Sequence, residues 1–84
     1  MGLSKETLVD IVTGIVHNET GYPKDRIGLT TELVTELDID SISMLTIFVN
    51  VQDAVKIAIP DGVFSELTTV EKVVNYLIQS QETE

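Results

Sequence analysis

The sequence predicts an all-α protein: a small four-helix bundle of three longer helices and one short one, with a long loop between the first and second helices. Three observations predict it. Apolar residues recur at helical spacing in three separate windows. Each window is preceded by a residue suited to capping a helix. The chain has 84 residues, which fits one domain spanning 1–84 and burying roughly 60 to 65% of its unfolded surface.

The first helix starts after Ser4, an N-cap, with Leu3 and Leu8 at the two positions of a hydrophobic staple. Its stripe is Leu8, Ile11, Val12, Ile15 and Val16, and Gly21-Tyr22-Pro23 ends it. The connection from Pro23 to Ile39 shows no strand alternation. Ile27, Leu29, Leu33, Val34 and Leu37 punctuate it, so it should pack over the core. A loop of this length points to function. The second helix runs from Ser41 to Lys56, capped by Asp40, with Ile39 and Met44 as a second staple. "IAIPDG" breaks the chain at Pro60 and Gly62, and Val63 to Glu66 form one helical turn. The last helix opens at "TTVE", where Thr68 and Glu71 fit a capping box. Its stripe is Val70, Val73, Val74, Leu77 and Ile78, and "QSQETE" reads as a solvated tail. The expected core includes Ile11, Ile15, Leu33, Phe48, Val51, Ile59, Val70 and Val74.

The second helix carries two apolar stripes. One is Met44, Ile47, Phe48, Val51 and Val55; the other is Ile42, Leu45 and Val49. A helix on the outside of a small bundle needs only one buried stripe. The second is therefore expected to meet a partner or ligand.

Fourteen acids against five bases give a net charge of −9. That disfavours nucleic acid and anionic membranes and favours basic protein surfaces. There is no cysteine, hence no disulfide and no thiolate metal site. No apolar run approaches the ~20 residues of a membrane span, and the N-terminus lacks a signal-peptide pattern. The expectation is a monomeric cytoplasmic protein without membrane insertion.

Catalytic chemistry finds little support. "DIDSI" begins like an EF-hand, but its sixth and twelfth positions are Ser43 and Val49 where Gly and Glu are needed. His17, the one histidine, sits near the end of the first helix and reads as a surface residue favoured by the helix dipole. No base is indicated for Ser41, and no glycine-rich phosphate loop occurs. Ser41 remains as a modification site. It stands at the first turn of a helix, where a phosphate ester is favoured by free backbone N–H groups, although Asp38 and Asp40 partly oppose it. Taken alone, Asp40-Ser41 is equally a plain capping pair.

Two blocks change that balance. "TELVTELDIDSISML" and "IAIPDGVFSELTTVEKVVNYL", in this order and separation, resemble the acyl carrier protein family over nearly the whole chain. The resemblance implies a 4'-phosphopantetheine arm on Ser41, next to Asp40 of the motif. The arm would be attached as a phosphodiester by a separate phosphopantetheinyl transferase that uses coenzyme A. It would hold acyl chains as thioesters for the acyl-processing synthase enzymes of fatty-acid or polyketide-type biosynthesis, and the protein itself would not be an enzyme. By the same resemblance the second helix is the docking element, which coincides with Ile42, Leu45 and Val49. The chain departs from the family pattern at Asp38, where typical members have Gly, and mildly at Ile42. It also departs at Ser43, Thr46 and Gln52, where typical members have acids; only Asp53 keeps one. Residues 41–52 carry no charge, and the acids gather ahead of them at Glu32, Glu36, Asp38 and Asp40. The expectation is a specialised carrier whose partners read Ile42, Leu45 and Val49, with Glu36 and Asp38 before them and Asp53 after. The alternatives are a peptidyl, aminoacyl or D-alanyl carrier, and a cofactor-free helical interaction module.

Overall fold

The computed structural model describes residues 2–82. Three α-helices form the frame: α1, Lys5–Thr20; α2, Ser41–Val55; and α3, Val70–Glu82. A short 3-10 helix, Asp61–Glu66, stands between α2 and α3, and a single 3-10 turn, Lys24–Arg26, lies in the long loop. No strand occurs among the described residues. α1 packs against both α2 and α3. The radius of gyration is 11.7 Å, close to the roughly 12 Å expected of a folded chain this long.

Local chemistry explains the helix limits. Ser4 Oγ accepts from Thr7 N at 3.2 Å, and Gly21, at φ 80°, donates its N–H back to the His17 carbonyl. That left-handed turn needs the freedom of glycine. Asp40 Oδ1 accepts from Ser43 N at 2.7 Å to open α2. Lys56 closes α2 from φ 60°, a left-handed conformation more commonly taken by glycine. It is therefore the C-cap and not the last helical residue.

α3 starts one residue later than expected. Thr69, not Thr68, is the cap: its Oγ1 accepts from Lys72 N at 3.1 Å. The reason is tertiary. The long loop presents the Leu29 carbonyl to Glu71 N at 3.0 Å, and the Thr68 carbonyl accepts from Leu33 N at 2.9 Å. These bonds hold Thr68 outside the helix. At the other end the helix continues through Glu82, so most of the expected tail is helical; residues 83–84 lie outside the described residues. Gln81 grips Leu3 twice, accepting from its N–H at 2.8 Å and donating to its carbonyl at 3.1 Å.

The core contains Leu33, Phe48, Val51, Ile59, Val70 and Val74 as expected, but Ile11 and Ile15 are only half-buried. The inward line of α1 is Leu8, Val12 and Val16, spaced four apart, and the two isoleucines flank it. The long loop is ordered by its own apolar anchors. Ile27, Leu33, Leu37 and Ile39 are buried, whereas Leu29 and Val34 remain exposed. Tyr22 OH donates to the Leu37 carbonyl at 2.7 Å, and His17 Nδ1–H donates to the Tyr22 carbonyl at 2.6 Å. His17 is thus half-buried and structural, not simply a surface residue.

Candidate carrier site at the start of α2

Ser41 is the first residue of α2 and is exposed. The cap of the helix is supplied by Asp40, whose carboxylate takes the Ser43 N–H and whose carbonyl takes the Met44 N–H at 3.0 Å. The Ser41 hydroxyl is not needed for either bond, so it can be modified without uncapping the helix. Asp38, two residues earlier, sits at φ 57°. This left-handed position is where the resemblance expects glycine, and aspartate is among the few residues that tolerate it. It turns the chain so that Ile39 drops into the core while Asp38 and Asp40 stay exposed on either side.

Ser41 stands at a cleft of about 310 Å³ lined by Met44, Leu45, Phe48, Phe64 and Leu67, with Val34 and Thr68 beside them. That volume is at the small end of ligand pockets, roughly 300 to 1,000 Å³. The Phe48 and Phe64 rings stack within its wall, centroids 4.5 Å apart. Lys72 is tied to this wall, its Nζ donating to Thr68 Oγ1 at 3.2 Å.

The remaining sequence-predicted residues separate into groups. Ile42, Leu45 and Val49 are exposed at 75%, 49% and 58% and line one outward strip of α2 that begins beside Ser41. Glu36 is exposed, but its Oε2 accepts from Glu32 N at 2.9 Å and so closes its own loop turn. Asp53 lies at the far end of the strip, pairing with Lys56 at 3.8 Å in a shallow hollow that also holds Val49. Asp38, Asp40, Ser41, Ile42 and Leu45 thus gather at the start of α2, whereas Asp53 shares the far end with Val49 of the same strip.

Sequence reasoning missed Phe64, Thr68 and Val34 as cleft residues. Phe64 was legible only as an aromatic in a short turn; its partner Phe48 is sixteen residues away on another helix. Val34 was expected to pack inward and instead forms part of the cleft's exposed edge.

Comparison with known proteins agrees with this geometry. Residues 10–77 match the family model described as the phosphopantetheine attachment site. An acyl carrier protein of Tropheryma whipplei is 43% identical over 96% of this chain and 99% of its own length. That of Kocuria rhizophila is 38% identical over 93% and 96%, respectively. The fold matches a solved acyl carrier protein from Enterococcus faecalis with a TM-score of 0.80 at 22% identity, over 93% of this chain and 99% of that one. The chain belongs to the phosphopantetheine-attachment family and is of the acyl-carrier type. Proteins of this class are carriers and not catalysts, and they bear a covalently attached 4'-phosphopantetheine.

The residues at the start of α2 fit that group. The exposed hydroxyl is free of the cap, it stands at a helix N-terminus, which would favour the charge of a phosphodiester, and an apolar cleft adjoins it.

Proposed function

We propose that Ser41 bears the phosphopantetheine arm, and that the protein is a specialised carrier whose partner enzymes recognise an apolar helix face more than a charged one. The observation that carries the reading is the position of Ser41. It stands between the apolar cleft and the exposed strip of Ile42, Leu45 and Val49. When bound, the arm supplies a terminal thiol on which an acyl group is held as a thioester. The chain's own residues do the rest. Ser41 Oγ provides the point of attachment, and Asp40 keeps the helix end intact beneath it. Asp38 and Asp40 give incoming basic surfaces a charge to approach. Leu45 and Val49 give a docked enzyme apolar area to bury.

The cleft also favours the kind of acyl chain. Val34, Met44, Leu45, Phe48, Phe64 and Leu67 make most of its lining apolar, and the hydroxyls of Ser41, Ser65 and Thr68 are its side-chain donors. A reduced alkyl chain buries well against the apolar residues, which favours cargo of the fatty-acid type.

Intact mass tests the attachment. Incubation with coenzyme A and a broad-specificity transferase should add one phosphopantetheine to the wild type and none to Ser41→Ala. No addition to the wild type would favour the cofactor-free interaction module. Addition to Ser41→Ala would move the site elsewhere. Loading by aminoacyl groups but not by acyl groups would favour the peptidyl or D-alanyl carrier.

A further inference from the structure

We propose that the Phe48–Phe64 ring pair is the inner wall of the cleft beside Ser41, and that Phe64 sets how long an acyl chain the cleft shelters. This rests on the acyl-carrier reading above.

The α2 residues that line the cleft are Ser41, Met44, Leu45 and Phe48. Their spacing of i, i+3, i+4 and i+7 is one strip of helix surface, about 10 Å long at 1.5 Å per residue. The strip itself continues to Val51 and Gln52, but the cleft does not. Val51 is fully buried, and Gln52 is held on both ends, donating to the Phe48 carbonyl at 3.3 Å and accepting from Ile59 N at 2.9 Å. The cleft therefore stops at Phe48, and Phe64 lies against that ring with the planes only 24° apart.

The two rings are not equivalent. Phe48 is buried at the centre of α2, whereas Phe64 is half-buried on the 3-10 helix, which contributes no fully buried residue. Removing the Phe64 ring takes away the more exposed half of that wall and leaves the main core in place. Taking each methylene at about the 30 Å³ that a water occupies in the liquid, the cleft has room for at most on the order of ten such groups, fewer by whatever part of the arm enters it. A longer chain must leave its end in water or part the rings.

The test is the melting temperature of the loaded protein against chain length. Holo-protein carrying saturated acyl groups of graded length is prepared for the wild type, Phe64→Ala and Phe64→Trp, and loading is verified by intact mass. Each buried carbon raises the melting temperature until the wall is reached. The wild-type rise should level off at or below about ten carbons. In Phe64→Ala the plateau should fall about three carbons later, the room left by the ring at the same ~30 Å³ per group. In Phe64→Trp, which keeps the cleft filled, it should come earlier than in the wild type. A plateau at the same length in the wild type and Phe64→Trp, or no length dependence in protein of verified mass, overturns the inference. Failure to gain mass at all overturns the acyl-carrier reading instead.

Discussion

Along α2, Val55 is the most exposed residue of the inner stripe, at 8%, and Leu45 the least exposed of the outer one, at 49%. Both stripes are built from apolar residues at helical spacing, and neither contains a charge. What separates them is cover. Met44, Ile47, Phe48, Val51 and Val55 meet the rest of the core, whereas the described residues leave Ile42, Leu45 and Val49 about half or more exposed. An 84-residue bundle has enough neighbouring helix to cover only one side of α2. In a protein with 14 acids, a polar outer face would have been easy to supply. The difference teaches that apolar periodicity locates a face suited to contact, and that burial tells a face covered within the fold from one left open.

The sharpest way to break this comparison is to truncate one residue from each face. Phe48→Ala should destabilise the protein by about 3 to 5 kcal/mol in urea unfolding, the cost of emptying a buried aromatic site. Leu45→Ala should change the same measurement by no more than about 0.5 kcal/mol, as expected of surface sites. Comparable losses from the two would mean that the outer stripe is part of the core.

A smaller effect concerns the turn that aims α2. Asp38 holds a left-handed conformation that costs an L-residue roughly 1 to 2 kcal/mol, less for aspartate. Asp38→Gly should therefore raise stability by up to about 1 kcal/mol in the same assay, and Asp38→Val should lower it. If Asp38→Gly destabilises, the carboxylate itself supports the fold. Smallest of all is the exposed pair Asp53–Lys56. Asp53→Asn should shift the urea midpoint within error, and added salt should not change that result.

Much of this arrangement was legible in the sequence because it depends on neighbours in the chain. Ser4, Gly21 and Asp40 act within a few residues of themselves, and the two stripes of α2 follow from period alone. The misreadings required distant partners. Thr68 lost the cap to Thr69 because the loop reaches across to Leu29–Glu71 and Leu33–Thr68 bonds. The "QSQETE" stretch joined α3, and its Gln81 found Leu3 at the other end of the chain. Phe64 gained its place in the cleft from a ring on α2, and no local pattern announces such a pairing. At the site, Asp40 and Ser41 could be placed by capping rules, but the cleft beside them could not.

Under the proposed function, partners draw more from the apolar strip and the acids before it than from Asp53 at its far end. On the proposed function the transferase that attaches the arm to Ser41 is such a partner, so kcat/KM for phosphopantetheine transfer tests this directly. Leu45→Ala and Asp38→Asn, which keeps a residue that tolerates the left-handed turn, should each lower it by about tenfold, equivalent to roughly 1.4 kcal/mol of lost contact, while Asp53→Lys should lower it less. A larger loss from Asp53→Lys than from the other two would contradict the account.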